Sequence, residues 1–142
     1  MTTSTQTFTS TLSQPQPDDP AQRLLLFGFR QMGANGLDDA CAAHAFMTAF
    51  GKDFRRPLVL LRTLMMELSS AATRPLQIAP WCCGRVTPAE GAFLAVTAKA
   101  LANERAAAFL LADLLAVRDA SGPLATATAL AIAFADLGMP LG

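Results

Sequence analysis

Apolar residues in this chain recur three and four positions apart rather than at every second one, and that spacing predicts helices throughout. Leu25, Phe29 and Met32 form the first stripe. Asp19-Pro20-Ala21-Gln22 stands before it, with an N-cap acid, a first-turn proline and Gln at the third helical position marking a start. Gly33 is the expected stop, and Asn35-Gly36 a turn. A second helix spans 38–50, with Ala43, Phe46, Met47 and Phe50 on its core face and Asp38 and Asp39 at its positive end. The third, 57–72, sets Leu58, Leu61, Leu64, Met65 and Leu68 on one broad face and brings Val59 and Met66 back on the other side, beside Arg62 and Thr63. A helix apolar around most of its circumference needs neighbours around most of it. Val59, Arg62 and Met66 are therefore the candidate interface with a second subunit, unless the loop that follows covers them.

That loop, 74–87, breaks the pattern with two prolines and a glycine, yet it is dense in apolar residues, as ordered loops packed on a protein body are. Thr87, Pro88 and Glu90 then repeat the start signal of a capping box. From 88 to 119 helical character is nearly continuous, but the stripe loses phase: Leu94 and Leu101 point one way, Leu111, Leu114 and Leu115 another. With no Gly or Pro near Asn103-Glu104-Arg105, one kinked helix is the expectation. Ser121-Gly122-Pro123 opens a last helix in which Leu130, Phe134 and Leu137 align among alanines. The predicted class is all-α: one bundle-like domain of five or six helices over 18–142. Residues 1–17, rich in Thr, Ser, Gln and Pro and without charge, read as a disordered or arm-like tail.

Composition narrows the functional classes. The 142 residues suffice for one domain with one core. Eleven basic residues balance eleven acidic ones, and no basic stripe is interleaved with aromatics, which argues against nucleic acid. Nine of the eleven basic residues are arginines. This fits bidentate pairing with carboxylates or the coding bias of a GC-rich genome, the second being preferred because alanine is also abundant. Mean hydropathy is +0.35, but the longest uncharged run in the body, 120–135, falls short of the roughly 20 residues a membrane span needs. No basic-then-apolar leader is present, and three cysteines, two of them adjacent, do not resemble a disulfide framework; a reducing cytoplasm is expected.

Candidate chemistry is sparse. Cys41 and His44 share a face of the second helix and, with Cys82 and Cys83 of the loop, are ligand types for zinc or another soft metal. Adjacent cysteines fit structural zinc poorly, so buried thiols and a helix-border histidine are the plainer reading. Cys83 lies near Arg85 and a helix start, which would favour a reactive thiolate. Arg55 and Arg56 sit at the positive end of the third helix, where a cation is unfavourable by about 0.3–1 kcal/mol. A compensating anion is expected there: a carboxylate or phosphate ligand, Asp53, Asp38 or Asp39 of the same chain, or another subunit's acid, with the internal salt bridge preferred. Arg55, Arg56 and Arg85 are the candidate anion-binding residues. Glu67 and Asp113, inside apolar helices, could face each other or an arginine such as Arg62, and a buried ion pair with the arginine is the plain reading. Trp81, Phe27, Phe29, Phe46 and Phe50 read as core rather than as the lining of a pocket.

The expected function is that of a non-catalytic, cytoplasmic helical protein, acting by association or ligand binding as a homo-oligomer, most simply a dimer. A protein partner or a small apolar or anionic ligand would fit, with no cofactor and no nucleic acid. A metal- or thiol-dependent protein using Cys82, Cys83, Cys41 and His44 is the alternative.

Overall fold

Six α-helices and one short β pair account for the regular structure of residues 14–142, the part of the chain that the computed structural model describes. In order they are β1 (Gln14–Pro15), α1 (Pro20–Asn35), α2 (Ala40–Phe50), a 3-10 turn (Gly51–Asp53), α3 (Arg55–Ala71), β2 (Arg85–Val86), α4 (Pro88–Lys99), α5 (Glu104–Leu115) and α6 (Ser121–Asp136). The all-α class follows the helical spacing of the apolar residues. β1 and β2 pair antiparallel, Gln14 with Val86 and Pro15 with Arg85. Part of the stretch whose composition reads as tail is thus bonded to the end of the long loop; the rest of that reading, 1–13, lies outside the described residues.

The local start signals act as their chemistry dictates. Asp19 accepts a hydrogen bond from the Gln22 N–H at 3.0 Å, and Asp39 one from Ala42 at 2.9 Å. Thr87 and Glu90 form the reciprocal capping box. The stops differ. Gly33 does not end α1, which runs on to Asn35 and closes at Gly36, where φ is +107°. Gly33 instead makes room: a Cβ there would lie 2.8 Å from Ile78 Cδ1 of the loop. Nor is 88–119 one kinked helix. The chain breaks at 100–103, and Asn103 caps α5 by accepting from the Ala106 N–H. The lost phase of the stripe therefore marked a reversal, and Leu101 is exposed on the turn rather than buried beside Leu94.

α1 packs on α2, α3 and α4; α4 and α5 pack together; α6 lies along α3 and also touches α4 and α5. Leu58, Leu61, Leu64 and Leu68 of α3 are buried, each contributing about 1.5–3 kcal/mol. Phe29 of α1 meets Phe93 of α4 at a centroid distance of 4.3 Å, and Phe134 of α6 meets Phe46 and Phe50 of α2 edge-on at 5.9 and 5.1 Å. Gly28 lets α1 approach: a Cβ there would lie 2.6 Å from Leu61 Cδ2. Met47, expected on the core face of α2, is instead half exposed. Among the described residues no helix is long and apolar enough to cross a membrane.

Candidate functional site

The loop between α3 and β2 is held by an ion pair that lies wholly inside the protein. Arg30 of α1 is 2 % exposed and Glu90 of α4 is 0 % exposed. The guanidinium grips the carboxylate through one edge, Nε to Oε2 at 2.8 Å and Nη2 to Oε1 at 3.0 Å. Two more of its N–H groups go to the loop: Nη1 to the Cys83 carbonyl at 2.8 Å and Nη2 also to the Arg85 carbonyl at 2.7 Å. Glu90 in turn accepts from the Ala79 N–H through Oε2 and from the Thr87 N–H through Oε1, both at 2.9 Å. The Thr87 hydroxyl donates to the Gln77 carbonyl at 2.7 Å. Burying two charges costs several kcal/mol per ion, which the pair's own attraction at best offsets. Its evident effect is geometric, since one side chain from each of two helices fixes backbone atoms at 79, 83, 85 and 87, and the Thr87 hydroxyl adds the carbonyl of 77.

The start of the loop is fixed to a different helix. Thr73 donates its N–H and its hydroxyl to the Leu115 carbonyl at 3.1 Å each, and Arg74 Nη2 donates to the Asp113 carbonyl at 3.3 Å. These are the last carbonyls of α5, where a cation is favoured. Anchored at both ends, the loop does not collapse onto the core, and concavities remain beside it. One, of about 400 Å³, lies between α1, the second half of α3 and the loop. Phe29, Met65, Leu68, Leu76 and Ile78 give it apolar walls, with Ser69 and Arg74 as polar members. Another, of about 390 Å³, lies between α1 and the turn that carries Trp81.

This helical domain with its clamped loop matches a protein-family model over residues 1–138. The chain belongs to the DUF6628 family, a family of unknown function. No curated protein and no solved structure matches the chain.

The residues singled out from the sequence are dispersed. Cys41 and His44 are exposed on α2, Cys82 is exposed in the loop, and Cys83 is half-buried there; all three cysteines are free. Among the described residues no three His, Cys, Asp or Glu side chains are grouped to hold a metal ion, so these four are not gathered into one site. Arg55 and Arg56 are exposed, and Arg56 Nη1 pairs with Asp136 Oδ2 at 3.0 Å. The compensating acid is internal, but it is at the end of α6 and not Asp53, Asp38 or Asp39. Arg85 is not beside them: it lies in β2, and its carbonyl belongs to the Arg30 network.

Neither Glu67 nor Asp113 has an ion-pair partner among the described residues. Asp113 is exposed, Arg62 donates through Nε to the Leu37 carbonyl, and one buried oxygen of Glu67, Oε1, has no hydrogen-bond partner among the described residues. Val59 and Met66 remain 54 % and 52 % exposed, so the loop does not cover the outer face of α3. Phe29 and Phe46 are core, whereas Trp81 is 65 % exposed. Arg30, the central residue of the clamp, had escaped the helical-stripe reading. The available signal was a charged residue between Phe29 and Met32, next to a core stripe, with no acid within one turn to pair with it.

Proposed function

We propose that this chain is a non-catalytic ligand-binding protein that holds a small, mainly apolar molecule in the cleft between α1, α3 and the loop. The observation that carries the reading is the clamp. A buried, bidentate Arg30–Glu90 pair holds the loop in one conformation beside a cleft of about 400 Å³, within the range of small-molecule sites. Among the described residues Arg74 is the only charged one lining the cleft, and it already caps α5. The cleft thus offers shape, part-apolar surface and neutral polar groups, which suits binding better than acid–base chemistry. The three free cysteines support a reducing, cytoplasmic setting as part of this proposal.

Octanol is a suitable probe, and Ser69→Phe a suitable block, because Ser69 is exposed at the cleft and outside the core. A ligand at a hundred times its Kd adds about 2.7 kcal/mol of stability, a rise in Tm of roughly 5–10 °C. Octanol is expected to raise the Tm of the parent protein and not that of Ser69→Phe. An equal shift in both proteins, or none in either, would count against the cleft.

Self-association is a second reading, favoured by the exposed Val59 and Met66 on a helix whose other face is core. The occupant would be a second copy of the chain, packed isologously as a homodimer, and the balanced formal charge means that two copies do not repel one another through net charge.

A further inference from the structure

The second concavity has a different chemistry from the apolar cleft and lies on the other side of the clamp. Arg23, Phe27 and Arg30 are spaced four and three residues apart on α1 and so share the face that lines it. Trp81 lines it as well, from the turn that follows Pro80. Among the described residues no acidic one lines the space. The charge of Arg30 is already matched by Glu90, but Arg23 is exposed and its side chain has no hydrogen-bond or ion-pair partner among the described residues. Arg23 therefore gives the concavity a positive charge that no salt bridge engages among the described residues.

The backbone that carries Trp81 is held in place although most of the residue is bare. The Cys83 N–H donates to the Pro80 carbonyl at 3.0 Å, closing a turn around Trp81 and Cys82. The Cys83 carbonyl is held by Arg30, and the next carbonyl, Gly84, accepts from the Gln16 N–H at 2.8 Å. A backbone bonded on both sides of the turn presents the indole at low entropic cost to a ligand. An exposed Trp and a half-buried Phe beside a free guanidinium supply an aromatic face and a charge-assisted donor together.

We propose that this concavity, between α1 and the Pro80–Cys83 turn, is a binding site for a small aromatic carboxylate. The ring lies against Trp81 and Phe27, and the carboxylate is held by Arg23. The site is separate from the α1–α3 cleft and does not depend on a ligand binding there.

Trp81 is the only tryptophan of the chain, so its emission reads the site directly. Benzoate is the probe, compared with cyclohexanecarboxylate (charge without an aromatic ring), benzyl alcohol (a ring without charge) and inorganic phosphate. Benzoate is expected to quench and blue-shift the emission at millimolar concentration, and the other three to bind at least tenfold more weakly. Arg23→Gln should weaken benzoate about tenfold, the worth of one charge-assisted hydrogen bond, with the thermal melt unchanged because Arg23 is exposed. Trp81→Phe, read by calorimetry, should keep most of the affinity that Trp81→Ala loses. Unchanged emission with benzoate would overturn the proposal. So would equal affinity for cyclohexanecarboxylate or for phosphate, or an affinity that Arg23→Gln leaves intact.

Discussion

Arg30 and Glu90 are sixty residues apart in sequence and meet inside the protein as a bidentate ion pair, Nε to Oε2 at 2.8 Å and Nη2 to Oε1 at 3.0 Å. Removing one partner strands a buried charge. Glu90→Ala and Arg30→Ala should each cost about 3–5 kcal/mol in urea denaturation. Arg30→Met combined with Glu90→Leu should cost less than the sum of the corresponding single changes by about 2 kcal/mol, because no charge is then left unpaired. Strict additivity would mean that the two side chains act independently.

Gly33 and Ile78 make a second long-range contact that sets the height of the loop above α1. Alanine ordinarily improves a helix interior by about 1 kcal/mol over glycine, but a Cβ at Gly33 would sit 2.8 Å from Ile78 Cδ1. Gly33→Ala should therefore fail to stabilise and should loosen the loop. Ile78→Val removes Cδ1, leaving Cγ2 at 3.7 Å from that Cβ. The pair Gly33→Ala, Ile78→Val should be more stable than Gly33→Ala alone by about 1 kcal/mol, measured by thermal melting.

Thr87 and Asn103 are both N-caps, and their substitution should differ in cost. Asn103 makes one exposed bond, to the Ala106 N–H, so Asn103→Ala should cost about 1 kcal/mol. Thr87 is buried; its hydroxyl accepts from the Glu90 N–H and donates to the Gln77 carbonyl. Thr87→Ala should cost about 2 kcal/mol or more, and should raise proteolytic cleavage within 74–86, which Asn103→Ala should not.

Val59 and Met66 test the self-association reading. If two copies meet through the outer face of α3, Val59→Asp and Met66→Asp should shift the protein towards monomer in sedimentation or light scattering, while leaving the melt of the monomer within about 0.5 kcal/mol. A parent protein that is monomeric at high micromolar concentration would remove this reading.

The elements legible in the sequence are those set by residues close together along it. Asp19 and Thr87 announce their helices because a cap acts within three residues, and the leucines of α3 announce its buried face because their period is local. The break at 100–103 was missed because it is made by an Asn cap, without the Gly or Pro that usually marks one. Gly33 looked like a stop because its reason for being glycine, the approach of Ile78, lies 45 residues away. Glu90 was readable as the third residue of a capping box. Its burial and its second role, against Arg30, were not readable, since nothing local shows which face of α1 that carboxylate will meet. The cysteines and His44 attracted attention by residue type alone, and the fold leaves them dispersed.

The Ala79 and Thr87 amides are the most direct reporters of whether the Arg30–Glu90 pair holds the loop, because both donate to the Glu90 carboxylate from non-helical backbone. Native-state hydrogen exchange should show both protected at nearly the level of the α3 core amides, and Glu90→Gln should lower that protection by at least tenfold while α3 and α6 stay protected. Exchange of Ala79 and Thr87 at the rate of an open loop in the parent protein, or protection untouched by Glu90→Gln, would contradict the clamp and with it the preformed cleft.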